Sequence, residues 1–133
     1  MIKLIVGGKG SGKTKKMVDM INENLSKVKG NIVCIEKSMQ LGHNIPTSVR
    51  LIDVDNYKIE DEKQFYGFFA GVLAGNYDIE QIYVDGILKV LGKDMNKFGE
   101  LLEKVDAITN NVTVVFTVSA DESELTDCVK KYL

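Results

Sequence analysis

Residues 7–14 read GGKGSGKT: Gly7, Gly8, Lys9, Gly10, Ser11, Gly12, Lys13 and Thr14. Four glycines in six positions let a backbone bend tightly and turn its N–H groups toward one point, with no Cβ in the way. A lysine and a hydroxyl follow at once. The stretch fits G-x-x-x-x-G-K-[ST] at every fixed position, a pattern whose residues suit phosphate. Its flanks decide the fold. Before it stands IKLIV (2–6), an apolar β-branched run. After it Met17, Ile21, Leu25 and Val28 recur at helical spacing, and Gly30 follows as a stop. A strand, a glycine loop and a helix in this order place the positive end of the helix on the loop. A glycine-rich turn would explain the glycines, but not Lys13 and Thr14 together.

Four further apolar segments read as strands: 31–36 (NIVCIE), 49–54 (VRLIDV), 81–85 (QIYVD) and 112–118 (VTVVFTV). Most are continuous apolar runs, as in sheets covered on both faces. Helices are expected at 61–74, with Phe65, Phe68, Phe69 and Val72 on one face, and at 94–108, with Met95, Phe98, Leu102 and Val105 buried. A last helix is expected after Ser119, with Ser119 and Glu122 as a capping box and Lys130 and Lys131 at its end. Residues 37–48, with Gly42, His43 and Pro46, read as a loop or a single turn. Gly67, Gly71 and Gly75 lie four apart and imply close packing on the sheet, or on another helix. The expected fold is α/β: one domain, 1–133, with a mainly parallel five-stranded sheet in three α/β/α layers.

Size and composition agree. The chain has 133 residues, 44% hydrophobic and 27% charged, with a formal net charge of -2. This suits one globular domain without a separate substrate domain. No global positive field draws it to nucleic acid, and no aromatic stacking platform accompanies Lys13, Lys15 and Lys16. No apolar run is long enough for a membrane helix, and 1–8 lack the features of a signal peptide. Cys34 and Cys128 show no metal-ligand spacing and read as reduced thiols, so a cytoplasmic location is expected.

A phosphate loop calls for a second, acidic site to complete a metal shell. The run 81–85 ends in Asp85, which would face the loop across the top of the sheet. Asp85 followed by Gly86 also reads as the start of a turn. The expected ligands are ATP and Mg²⁺. Residues 7–14 would cradle the phosphates, Lys13 would meet their charge, and Thr14 with Asp85 would hold the metal.

Together these segments resemble the core of RecA-like P-loop NTPases, including the KaiC-type ATPases. GGKGSGKT is similar to their Walker A motif, QIYVDGI (81–87) to their Walker B strand, NIVCIE to their second strand with its acidic end, and VTVVFTVS (112–119) to the strand that carries a polar sensor. The resemblance implies that Glu36 polarises the attacking water and that Thr117 or Ser119 senses the γ-phosphate. Plainer roles are a solvated strand end for Glu36 and a helix cap for Ser119. It also implies that 112–118 inserts between 2–6 and 81–85. RecA-like members continue with a strand beyond the loop strand, whereas this sequence ends at Leu133. The loop strand is then an open edge, and a protein partner or a second copy, or a helix, is expected over it. Arg50 is the only arginine, with Lys9 and Lys37 as possible substitutes, so hydrolysis is expected to be slow.

The function implied is a slow Mg²⁺-dependent ATPase that works with a partner or as an oligomer. The alternatives are a nucleotide-binding sensor without turnover and a small kinase. One arginine and no lid-sized insertion argue against the kinase, and two isolated cysteines cannot build the zinc lobe of thymidine kinases. A GTPase would need N-K-x-D, and Asn96-Lys97-Phe98-Gly99 lacks the aspartate. His43 reads as a surface residue or a ligand contact. Tyr57 is a candidate for stacking on a base.

Overall fold

Each β-branched run becomes a strand, and each 3.6-residue pattern becomes a helix against it. A computed structural model describes residues 1–38, 41–42 and 44–133; the reading of His43 lies outside the described residues. The strands are β1 (Ile2–Gly7), β2 (Asn31–Glu36), β3 (Arg50–Asp53), β4 (Ile79–Val84) and β5 (Thr113–Ser119). They form one sheet in the order β1-β5-β4-β2-β3, and every pairing is parallel. The helices are α1 (Lys13–Leu25), α2 (Glu62–Gly75), α3 (Ile87–Leu91), α4 (Met95–Ile108) and α5 (Asp127–Lys130). Helices cover both faces of the sheet, giving three layers.

Side-chain alternation along the strands sorts the core into two halves. Ile5, Ile32, Cys34, Tyr83 and Val115 pack with Met17 and Ile21 of α1, and with Leu41, Ile45 and Val49 from the segment before β3. Val33, Ile35, Ile82, Val84, Val114 and Phe116 face the other way, toward Phe65 and Phe69 of α2, Phe98 and Leu102 of α4, and Val129 of α5. Continuous apolar strands are thus the signature of a sheet buried on both sides. Tyr83 is 1% exposed. Its hydroxyl donates to Gln81 at 2.6 Å and accepts from Asn24 of α1 at 3.0 Å, so α1 is pinned to β4 without an unsatisfied polar group.

The strand order carries the expected insertion: β5 lies between β1 and β4. β1 is an edge of the sheet among the described residues and pairs with β5 alone. From β1 to β2 to β3 the chain moves across the sheet on the α1 face. From β3 to β4 to β5 it returns on the other face. Reversing direction and face together keeps one crossover hand.

Several expectations need correction. The run 49–54 is shorter as a strand, Arg50–Asp53, because the Asp53 carboxylate accepts the Asp55 N–H and turns Val54–Tyr57 into a 3-10 helix. The Ser119–Glu122 capping box does not form. Ser119 is the last residue of β5, paired with Gly7, and the box belongs to Asp121 and Glu124 around the 3-10 turn Glu122–Glu124. The last helix is therefore the short α5, starting eight residues beyond Ser119 in sequence. Gly67, Gly71 and Gly75 do not mark close packing on sheet or helix. A Cβ at any of the three would meet nothing within 4 Å. α3 was not foreseen. Its Ile87, Leu88 and Val90 are all buried, so no polar stripe reveals a helical period.

Candidate functional site

The side chains that follow the α1-facing core residues are polar. Cys34 is followed two positions on by Glu36, Leu51 by Asp53, Tyr83 by Asp85 and Val115 by Thr117. All four therefore rise on the α1 face at the C-terminal edge of the parallel sheet, where β1 runs into the glycine loop. This is the edge at which open α/β sheets take their ligands.

The loop closes on itself. Ser11 N–H donates to Gly8 C=O at 3.2 Å, and Lys13 Nζ donates to the same carbonyl at 2.9 Å. Gly10 and Gly12 have φ of +79° and +86°, which a side chain would strain. Gly7 is constrained differently, since a Cβ there would run into Ser11. Gly12 is the N-cap of α1, with no side-chain cap and no acidic residue in the first turn. The first N–H groups of a helix have no partner within it. Here they follow directly on the glycine loop, in which Lys9 is exposed, an arrangement that suits an oxyanion.

Across from the loop lies Asp85, one residue past β4, with its N–H on Ile35 C=O at 2.9 Å. The Thr14 hydroxyl lies 3.2 Å from Asp85 Oδ1 and 3.4 Å from Oδ2. Two neighbouring ligands of an octahedral Mg²⁺, each about 2.1 Å from the ion, are about 3 Å apart. A hydroxyl and a carboxylate at this spacing fit that ion if other oxygens complete its shell. Among the described residues no group of three or more His, Cys, Asp and Glu can hold a metal alone. The remaining ligands would have to come from water or a bound oxyanion.

Thr117 is 1% exposed. It donates to Asp85 Oδ1 at 2.7 Å and accepts the Gly86 N–H at 2.7 Å. Ser119 stands two residues further along β5, exposed beside Gly7. Of the two sensor candidates, Thr117 is thus built into the acidic side of the site, and Ser119 flanks the loop. Sequence alone named both. The β4–β5 register, with Val84 opposite Phe116, separates them.

Glu36 is one strand away from Asp85, because β2 pairs with β4. It is 3% exposed, and its Oε1 accepts the Leu41 N–H at 3.1 Å. Asp53 is opposite it on β3, and Asp55, two residues further on, pairs with Lys37. Lys37 is therefore committed to β3's end of the sheet. Arg50 begins β3, at the opposite edge from the loop, with its guanidinium on Leu51 C=O at 3.4 Å. Beneath the carboxylates, burial pushes the Cys34 thiol well above its usual range, and Asp85 and Glu36 push it further. Both cysteines are free. Tyr57 is 56% exposed, with its ring stacked on Phe68 at 6.2 Å between centroids. No helix among the described residues is long and apolar enough to cross a membrane.

The chain matches no known protein-family model, and no curated protein matches it.

Proposed function

We propose that this protein is a P-loop NTPase of RecA-like type that binds ATP with Mg²⁺. The observation that carries the reading is the apposition of Thr14 and Asp85, at 3.2 Å, in front of an uncapped helix that begins with Lys13. Residues Gly7, Gly8, Lys9, Gly10, Ser11, Gly12, Lys13 and Thr14 form the phosphate cradle. Lys13 exchanges the Gly8 carbonyl for phosphate oxygens. Thr14 and Asp85 would hold the metal, which would supply positive charge against the phosphates. Ser119, exposed beside Gly7, is the side chain open to the terminal phosphate.

Turnover in this reading is slow. Arg50 is at the wrong edge of the sheet, and Lys37 is paired with Asp55. Glu36 has the strand position of a general base. A carboxylate in that role orients a water at the γ-phosphate. Lys9 is exposed in the loop, and the edge of β1 offers backbone groups to a protein partner or a second copy that would supply a further cation.

One observation favours the alternative, a nucleotide sensor without turnover. Glu36 is buried and accepts the Leu41 N–H, the geometry of a carboxylate that anchors a loop. A single assay separates the two. Binding and hydrolysis of ATP are measured with Mg²⁺ in the unchanged protein and in Glu36→Gln. Retained binding with turnover lowered about a hundredfold assigns Glu36 as the base. Equal turnover in both removes it from that role. Binding without turnover in the unchanged protein selects the sensor, and no binding at all ends the nucleotide reading.

A further inference from the structure

Asp85 needs more than its backbone to aim it, because it lies beyond the last residue of β4. Its side chain is only half-buried. A carboxylate at such a position has several staggered choices, and one of them faces Thr14. Thr117 is the group that selects among them.

The hydrogen-bond directions at Thr117 are fixed by elementary bookkeeping. An amide N–H only donates, so Thr117 Oγ1 must accept from Gly86 at 2.7 Å. The hydroxyl has one proton, which is left to point at Asp85 Oδ1, also at 2.7 Å. A hydroxyl-to-carboxylate bond of this kind is charge-assisted and strong. Threonine is also stiff about χ1. Gly86 is buried and left-handed, with φ +75°, as the N-cap of α3. One side chain thus ties together the carboxylate, the turn after it and the start of the next helix. Thr117 is 1% exposed, and both of these bonds are internal, so a bound phosphate has no access to it.

We infer that Thr117 is a positioning residue: it orients Asp85 for the metal through the Thr117–Asp85–Gly86 bonds and does not touch the phosphate. This rests on the Mg²⁺–nucleotide reading proposed above, and it divides the sensor strand into two roles. Thr117 serves the metal ligand, and Ser119 is the residue left for the nucleotide.

Equilibrium binding of a fluorescent ADP and of a fluorescent non-hydrolysable ATP analogue tests this. Each is titrated with Mg²⁺, and again in EDTA, for the unchanged protein, Thr117→Val, Thr117→Ala and Thr117→Ser. Thermal melts establish that the variants are folded. Partners that orient a metal ligand are worth on the order of tenfold or more in metal affinity. The Mg²⁺ midpoint should therefore rise about tenfold in Thr117→Val and Thr117→Ala, equally for both nucleotides. Affinity in EDTA should stay unchanged, and Thr117→Ser should restore the original midpoint. The inference is overturned by an unshifted midpoint, by a loss confined to the triphosphate, by an equal loss in EDTA, or by failure of both apolar variants to fold. Absence of Mg²⁺-supported binding in the unchanged protein is a different result: it removes the nucleotide reading itself.

Discussion

α1 and α4 begin in opposite ways. α4 starts from Asp94, whose carboxylate accepts the N–H groups of Asn96 at 3.1 Å and Lys97 at 3.2 Å. α2 follows the same rule, with Asp61 taking the Gln64 N–H at 2.8 Å. Both helices satisfy their own first turns. α1 starts from Gly12, left-handed and without a side chain to offer, and no acidic residue occupies its first turn. A carboxylate at that place would compete with an incoming anion for the same N–H groups and repel it. The contrast teaches that α1, unlike the long helices α2 and α4, has no side-chain cap on its first turn, and that this turn stands opposite the aspartate that meets Thr14.

The largest effect expected from breaking this contrast is at Lys13. Lys13→Ala removes the cation that now rests on Gly8 C=O. Charge-assisted contacts of this type are worth about 1.5–3 kcal/mol, so ATP affinity by calorimetry should fall roughly ten- to a hundredfold. Stability should hardly change, since the contact made in the free protein is exposed. Unchanged affinity would show that the loop does not receive phosphate.

Gly12→Ala is next. A Cβ meets no atom within 4 Å, so the cost is conformational. At φ +86° it amounts to about 1–2 kcal/mol. Both the melting temperature and ATP affinity should drop, because relaxing the strain moves the donors. A melting temperature equal to that of the unchanged protein would mean that the left-handed turn is dispensable.

Asp94→Ala gives the smallest and most selective effect. Loss of an N-cap costs typically about 1 kcal/mol, read as a lower denaturation midpoint. Nucleotide affinity should stay as it was, since Asp94 caps α4, on the sheet face opposite α1. If binding fell with stability, the helix ends would not be separable into structural and ligand-binding kinds.

Much of this was legible locally. The glycine loop, the helix after it and Asp85 at the end of an apolar run all announce themselves within a few residues, because glycine turns and buried strands are short-range patterns. Asp94 and Asp61 could also be read as helix starts. The misreadings share a cause. Ser119 and Glu122 have the spacing of a capping box, yet Ser119 is drawn into the sheet by Gly7, over a hundred positions away in sequence. Asp121, two residues on, takes the capping role. The glycines of α2 have the spacing of a packing face, but whether anything approaches them depends on where the helix docks.

The sequence by itself determined that the chain alternates strands and helices, that the strands are buried on both faces, and that a lysine and a hydroxyl follow a glycine turn at the head of a helix. Periodicity and backbone freedom are local properties, and they survive without knowledge of the fold. Tertiary structure decided the rest. Insertion of β5 between β1 and β4, expected beforehand only through the family resemblance, left β1 at the edge and brought Thr117 beside Asp85. The pinning of α1 by Asn24 and Tyr83 set Thr14 within reach of the same carboxylate. Glu36 was readable as an acidic strand end, but only the folded chain shows it buried and accepting the Leu41 N–H. Register and docking are fixed by contacts between residues tens of positions apart, and no window along the chain contains them.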